Sequence, residues 1–249
     1  MSLRLRQSDG GDSLAGEYGP ESCCSSTLLH FPSAHASDRS PVSLPPAPEP
    51  HLLYDVSKRS LDVVLGLLLL IASAPFIVAA AATVAIFYRT NPFYVQRRLG
   101  KGGREFPMLK IKSMRDGADS SIPEHLNETG GPTFKSSNDP RVSRLGRLLR
   151  MTSLDEMPQF LNVVLGQMAI VGPRPPLARE VIHYSRPQLE RLRVKPGLTC
   201  IWQVSGRSDI GFRRWMAADR VYVRRRSLWF DLGLLLRTPW AVITMRGAR

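Results

Sequence analysis

Val63-Val64-Leu65-Gly66-Leu67-Leu68-Leu69-Leu70-Ile71-Ala72-Ser73-Ala74-Pro75-Phe76-Ile77-Val78-Ala79-Ala80-Ala81-Ala82-Thr83-Val84-Ala85-Ile86-Phe87 runs for 25 residues without a charged side chain. As one helix it would extend roughly 37 Å, enough to cross a hydrocarbon core about 30 Å thick. A soluble core helix of this length and uniform character is unusual, so the stretch predicts a membrane segment. Pro75 is its central residue, preceded by Ser73 and Ala74. Proline removes an amide donor and crowds the preceding turn, which predicts a kink there and two halves of about 18 Å each. Lys58 and Arg59 precede the run, and Arg89, Arg97, Arg98 and Lys101 follow it. Basic flanks favour the cytoplasm. A re-entrant helix–break–helix satisfies both flanks at once, whereas a straight, proline-kinked span places one of them outside; the residues alone leave both open.

On the N-terminal side, residues 1–50 are rich in Ser and Pro and show no sustained apolar period, which reads as a disordered tail. No basic, then apolar, then small-residue pattern marks a signal peptide there. The tail carries a net charge of −3, against +13 for the whole chain, so residues 51–249 carry +16. A body this basic expects an anionic partner: nucleic acid, anionic lipid headgroups or a phosphorylated substrate. Cys23 and Cys24 are neighbours and Cys200 stands alone, so no disulfide framework is expected and a reducing compartment is the natural reading.

On the C-terminal side, Phe93 to Gly100 reads as a short strand or extended segment leading into a Gly turn, and Phe106 to Lys112 as a partner strand. Residues 116–140 are polar and Gly/Pro-bearing, as in a surface loop. Helical patterning resumes near Arg144 and from Pro158 to Gly166, with Gly166 placed as the residue after a helix end. In Thr152-Ser153-Leu154-Asp155-Glu156-Met157-Pro158-Gln159, Pro158 implies a helix beginning close to Asp155, with both carboxylates at its positive end. Ser153-x-x-Glu156 matches a capping box, which would make the pair structural. Two adjacent carboxylates also form a site where one could hold Mg²⁺ while the other attacks a phosphorus centre.

Gly172-Pro173-Arg174-Pro175-Pro176 is a proline-locked loop with one guanidinium at its centre, suited to phosphate oxygens. Lys195-Pro196-Gly197-Leu198-Thr199 and Gln203-Val204-Ser205-Gly206-Arg207 add two further turns, each with a cation. Over 212–226 a helix places Phe212, Trp215, Met216, Tyr222 and Val223 on one face together with Asp219. An acid on that apolar face needs an arginine, a metal or a substrate group, so Asp219 is a candidate additional acid. Arg224-Arg225-Arg226, followed by Trp229, Phe230, Leu232, Leu234 to Leu236 and Trp240, suits either a helix at the headgroup boundary or an amphipathic core helix.

Taken in order, these motifs resemble a known family. Lys58-Arg59-x-x-Asp62, Gln96-x-Arg98, Lys110-x-x-Ser113-Met114 and Asp139-Pro140-Arg141 come first. Leu154-Asp155-Glu156-x-Pro158-Gln159, Val171-Gly172-Pro173-Arg174-Pro175, Pro196-Gly197-Leu198-Thr199 and Trp202-Gln203-Val204-Ser205-Gly206-Arg207 complete the set. From about Ser57 onward the chain looks like the bacterial sugar transferases, the monotopic polyprenyl-phosphate phosphoglycosyl transferases that begin exopolysaccharide and related glycan assembly. The resemblance implies an α+β, mostly helical fold: a re-entrant membrane helix over 57–90 and a small catalytic domain over 91–249 with amphipathic interfacial helices and a short β element, after the tail over 1–50. It implies transfer of a sugar 1-phosphate from a UDP-sugar to polyprenyl (undecaprenyl) phosphate, with UMP released, on the cytoplasmic face of the bacterial inner membrane. Asp155 would be the nucleophile, and Glu156 with Asp155 would hold Mg²⁺. Arg174, Arg150, Lys110, Arg141 and Arg207 would bind substrate. The partners implied are the two substrates and membrane phospholipid, with no nucleic acid; a homo-oligomer is compatible with the reading.

Asn91, Lys112, Gln167, Ala169 and Cys200 depart from the usual family pattern, and none of them removes the nucleophile. Two rival readings predict different behaviour. A non-catalytic, membrane-docked scaffold would keep its function in Asp155→Asn. A nucleic-acid binder has only charge in its favour, with no recognised module to go with it.

Overall fold

The computed structural model describes residues 28–29, 42–43, 52–115, 117–118, 122–136, 138–206 and 210–244. The expected disordered tail therefore lies outside the described residues, apart from Leu28–Leu29 (β1) and Val42–Ser43 (β2), which pair antiparallel.

The long apolar stretch forms α1, Leu52–Tyr88, long and apolar enough by length and composition to cross a membrane. Secondary structure stays helical through Pro75, where a break was expected. An interior proline costs one amide bond and crowds one carbonyl, and the turns on either side retain theirs. The Ser73 hydroxyl donates to the Leu70 carbonyl at 3.2 Å, one turn before the proline. Asp62, Gly66, Ser73, Ala80, Ala81 and Val84 form a buried stripe at helical spacing. Leu68, Ile71, Phe76, Val78 and Ile86 are exposed, an apolar surface too continuous for contact with water.

Both ends of α1 meet the same body. Near the start, Arg59 donates to the carbonyls of Val163 and Val164 at 2.8 and 2.7 Å, and Asp62 accepts from the Ile170 amide at 2.9 Å. Near the end, Ala80 and Val84 pack with Ile111 and Leu149, the Tyr88 hydroxyl bonds Ser143, and Lys112 reaches Thr90 at 2.8 Å.

The expected hairpin is present: Phe93–Leu99 (β3) pairs antiparallel with Glu105–Ile111 (β4), in a register running from Phe93 opposite Ile111 to Leu99 opposite Glu105. Period-two burial puts Phe106 and Met108 of β4 into the core. Next come α2, Arg144–Met151, capped by the Ser143 hydroxyl, and α3, Gln159–Val164. Gly166 takes φ 81° just beyond α3, as its position predicted.

A second pair was not anticipated: Ala169–Val171 (β5) runs parallel to Gly197–Thr199 (β6). Between them lie α4, Ala178–Val181, and a 3₁₀ segment, Arg186–Arg193. The chain finishes with α5, Ile201–Val204, α6, Phe212–Arg225, and α7, Leu228–Ile243. The apolar face of α6 is buried as read, with Trp215 stacked on Trp202 at 4.8 Å between ring centroids. On α7, Trp229 and Trp240 are 82% and 71% exposed while Asp231 and Leu234 face inward. That split matches a helix at an interface. The fold is thus mostly helical, with small sheets and one long apolar helix.

Candidate active site

The helix expected to begin at Asp155 begins four residues later. Asp155 and Glu156 instead occupy a 3₁₀ turn, Leu154–Glu156, and Pro158 immediately precedes α3. The turn is entered through Ser153 at φ 58°, ψ 17°, a left-handed conformation that side chains with a Cβ seldom adopt. Its side chain makes no cap bond, so the capping box is absent and the pair is not spent on a helix end.

Three elements bring cations to this turn. From β4, Lys110 Nζ lies 3.5 Å from Glu156 Oε1, and Arg174 Nη1 lies 3.5 Å from the same oxygen. From α2, Arg150 donates its Nε to the Ser113 hydroxyl at 3.0 Å. That approach requires Gly146, because a Cβ there would lie 1.8 Å from the Ser113 carbonyl oxygen.

The Arg174 loop is rigid for a reason that goes beyond its prolines. Its three prolines donate no amide bond, so the loop is held largely through its carbonyls. Pro173 accepts from Gly197, Arg174 from Arg191 at 2.6 Å, Pro175 from Arg98 at 3.0 Å, and Pro176 from Leu99, while the Gly172 amide donates to Thr199. Gly172 and Gly197 touch backbone to backbone, since a Cβ on Gly197 would lie 2.1 Å from the Gly172 nitrogen.

Together these groups line a cavity of about 410 Å³, within the usual range for small-molecule sites. Asp155, Glu156, Lys110, Arg150, Arg174 and Arg141 all face it. The carboxyl groups are driven apart. Burial, then the neighbouring Glu156 charge, pushes Asp155 up to about 6 against the pull of Lys110, Arg150 and Arg174. Burial also works to raise Glu156, but Lys110 and Arg174 outweigh it and hold it at about 2. Burial lowers Lys110 to about 8 despite Glu156. The neighbouring carboxyl groups are thus shifted in opposite directions, Asp155 up and Glu156 down, a split typical of acid and base assignments.

Two candidates behave differently. Arg141 is already engaged, gripping Asp139 with Nε and Nη2 at 2.9 and 2.7 Å and donating to the Ala118 carbonyl, so it braces the cavity wall. Asp219 does not line the cavity. Its partner is Arg191 at 3.0 Å, both side chains about 2% exposed, and Arg191 in turn holds the Arg174 carbonyl. Arg207 lies outside the described residues.

The loop over 116–140 was read as a plain surface loop, yet Glu128, Thr133, Phe134 and Lys135 line the cavity. Lys135 Nζ sits 3.7 Å above the Trp202 ring. The available signal was an aromatic residue following Gly130-Gly131-Pro132 in an otherwise polar segment.

Among the described residues, no three His, Cys, Asp or Glu side chains converge as a ready-made metal cage. Mg²⁺ does not need one: it keeps several waters and takes one or two carboxylates plus substrate phosphate oxygens. Asp155 and Glu156 fit that donor set.

Comparison with known proteins agrees with this chemistry. The family described as bacterial sugar transferase matches residues 53–245. The exopolysaccharide production protein ExoY of Sinorhizobium fredii is 39% identical over 199 residues, covering 78% of this chain and 88% of that protein. The UDP-glucose:undecaprenyl-phosphate glucose-1-phosphate transferase of Caulobacter vibrioides is 36% identical over 213 residues, 82% of this chain and 76% of that protein. The undecaprenyl-phosphate galactose phosphotransferase of Salmonella typhimurium is 34% identical over 202 residues; the match covers 77% of this chain but 41% of that longer protein.

Proposed function

Because the chain belongs to the bacterial sugar transferase family, we propose that it moves a sugar 1-phosphate from a UDP-sugar to polyprenyl (undecaprenyl) phosphate in the first membrane step of an exopolysaccharide or related glycan. The observation that carries this reading is the asymmetric pair Asp155–Glu156 in a cation-lined cavity. A diphosphate repels a carboxylate until its charge is neutralised, and Lys110, Arg150 and Arg174 bring three positive charges to that position. Asp155 attacks the sugar-bearing phosphorus. A bond forms from its carboxylate oxygen to phosphorus, the bond to the bridging oxygen breaks, and UMP leaves. The polyprenyl phosphate oxygen then displaces Asp155, giving a polyprenyl diphosphate sugar and the free carboxylate. Splitting the transfer this way lets a soluble donor and a membrane-held acceptor use one site in turn. Glu156 and Asp155 would hold Mg²⁺, which supplies further neutralisation of the diphosphate.

Both ends of α1 dock on the body that carries the site. A helix crossing the bilayer separates its ends by the hydrocarbon thickness, so two ends on one body support a re-entrant α1, and the basic flanks at Lys58–Arg59 and Arg89–Arg98 support residues 91–249 on the cytoplasmic face of the inner membrane. The test is the intact mass of detergent-solubilised protein incubated with Mg²⁺ and a panel of UDP-sugars, without lipid. A gain of one sugar phosphate is expected in wild type and not in Asp155→Asn. An adduct that persists in Asp155→Asn would overturn the assignment of the nucleophile.

A further inference from the structure

Behind the carboxylate pair, on the side away from the open cavity, Gln159 is the first residue of α3 and 3% exposed. Its side-chain Nε2 is buried without a hydrogen-bond partner. Buried amide donors are nearly always satisfied, by protein or by water. Gln159 lines a narrow void of about 10 Å³ whose walls include Glu156, Lys110, Arg174 and Gln203, close to the room one water molecule needs.

Glu156 is the charged acceptor among the residues lining that void. Its two cation contacts are both 3.5 Å and fall on one oxygen, the outer limit of a hydrogen bond, while an ionised carboxylate offers about four acceptor positions. α3 is also a firm base for a donor: the Asn162 side chain clamps it to β4, accepting from the Leu109 amide at 3.1 Å and donating to the Pro107 carbonyl at 2.7 Å.

We propose that Gln159 is a positioning residue: its amide donates to the Glu156 carboxylate through one water in this void, and so fixes Glu156 opposite Lys110 and Arg174. This rests on the sugar-phosphate transferase reading of the same site. Gln159 touches no reacting atom; its effect passes through Glu156. Without it the carboxylate is held from the cavity side alone and swings between its two cations.

The test compares wild type with Gln159→Met, which keeps the length and packing of the side chain and removes the donor. The expected result is a loss of about 10- to 100-fold in kcat, the size of one hydrogen bond to a charged group, with the KM for the UDP-sugar within about twofold of wild type and an unchanged melting temperature. Unchanged kcat, or a change confined to KM, overturns the proposal. If Gln159→Met does not fold, a high-resolution crystal structure of the wild-type protein decides. An ordered water within hydrogen-bond reach of both Gln159 and Glu156 supports the role, and an Nε2 bonded elsewhere removes it. Failure of wild type to form any sugar-phosphate adduct would instead defeat the transferase reading, and the same crystal structure would still judge the Gln159–Glu156 link.

Discussion

Two clusters of acids and bases flank the core, and they are built to opposite specifications. At the foot of α1, Lys58 lies 3.0 Å from Asp62 and 3.3 Å from Asp231. Asp62 accepts from the Ile170 amide, and Asp231 accepts from Tyr54 at 3.0 Å and Tyr222 at 2.9 Å. Its charged groups are buried, Tyr54 is half-buried, and the contacts are short. At the cavity, Glu156 meets two cations at 3.5 Å, Asp155 is pushed up to about 6, and the turn that carries them is entered through a left-handed serine. A charge cluster that only has to hold elements together can satisfy every group it buries. One that must receive a charged substrate keeps its partners loose and carries strain until the substrate arrives. The two are joined: Asp62 holds β5, and β5 runs directly into the Gly172–Pro176 loop that presents Arg174.

Removing an acid from each cluster separates these roles most sharply. Asp155→Asn is expected to lower transfer by about 10⁴-fold or more, as loss of a covalent nucleophile does. The same change should leave thermal stability unchanged or higher at pH 7. The Asp155 carboxyl titrates higher in the fold than in the unfolded chain, so its ionised form disfavours folding above its unfolded pKa. Asp231→Ala should do the reverse. It leaves Lys58 buried beside only Asp62 and removes the acceptor of the Tyr54 hydroxyl, while Tyr222 keeps the Val171 carbonyl, at a cost of about 3–5 kcal/mol. The fraction that stays folded should still form the sugar-phosphate adduct. Thermal unfolding in detergent, paired with adduct mass, measures both. A stable, inactive Asp231→Ala would dissolve the distinction.

The sequence carried the parts of this contrast that depend on composition and order. A charge-free apolar run and an alternating hairpin are local patterns, and α1 and β3–β4 appear where those patterns place them. What was not legible depends on distant partners. The β5–β6 pair is two three-residue strands, too short for alternation to register. Whether Asp219 met an arginine, a metal or a substrate turned on Arg191, 28 positions away. The capping box failed because its serine adopted a backbone conformation that no residue pattern announces. The loop over 116–140 reads as polar because most of its cavity-facing groups are themselves polar, and the position of Lys135 over the Trp202 ring comes from distant packing.

A smaller effect tests the electrostatic half of the comparison. The proposed mechanism requires Asp155 ionised and Lys110 charged; burial pushes the first up to about 6 and the second down to about 8. The rate should therefore be bell-shaped, falling about tenfold per pH unit below the acid limb and declining again above the basic one. Saturating Mg²⁺ should move the acid limb downward, because a bound cation favours the ionised carboxylate. Lys110→Arg, whose charge does not titrate in this range, should flatten the basic limb alone. A profile indifferent to that substitution would mean that the basic limb belongs to another group.

The smallest effect concerns strain. Ser153 sits at φ 58° at the entrance to the catalytic turn, a conformation costing about 1–2 kcal/mol for a residue with a Cβ and nothing for glycine. Ser153→Gly should therefore raise stability by up to about 1 kcal/mol, part of the relief being offset by the extra freedom glycine gives the unfolded chain. Ser153→Val should cost about 1–2 kcal/mol, since a β-branched residue is worst suited to that region. Activity should move against stability in the glycine variant. Asp155 and Glu156 follow Ser153 at positions two and three, so freedom at φ of residue 153 spreads the carboxylate pair over more orientations and lowers kcat a few-fold. The buried cluster at Lys58 contains no such conflict. If Ser153→Gly gained both stability and rate, the left-handed serine would be an accident of the turn and not part of what holds the carboxylates ready.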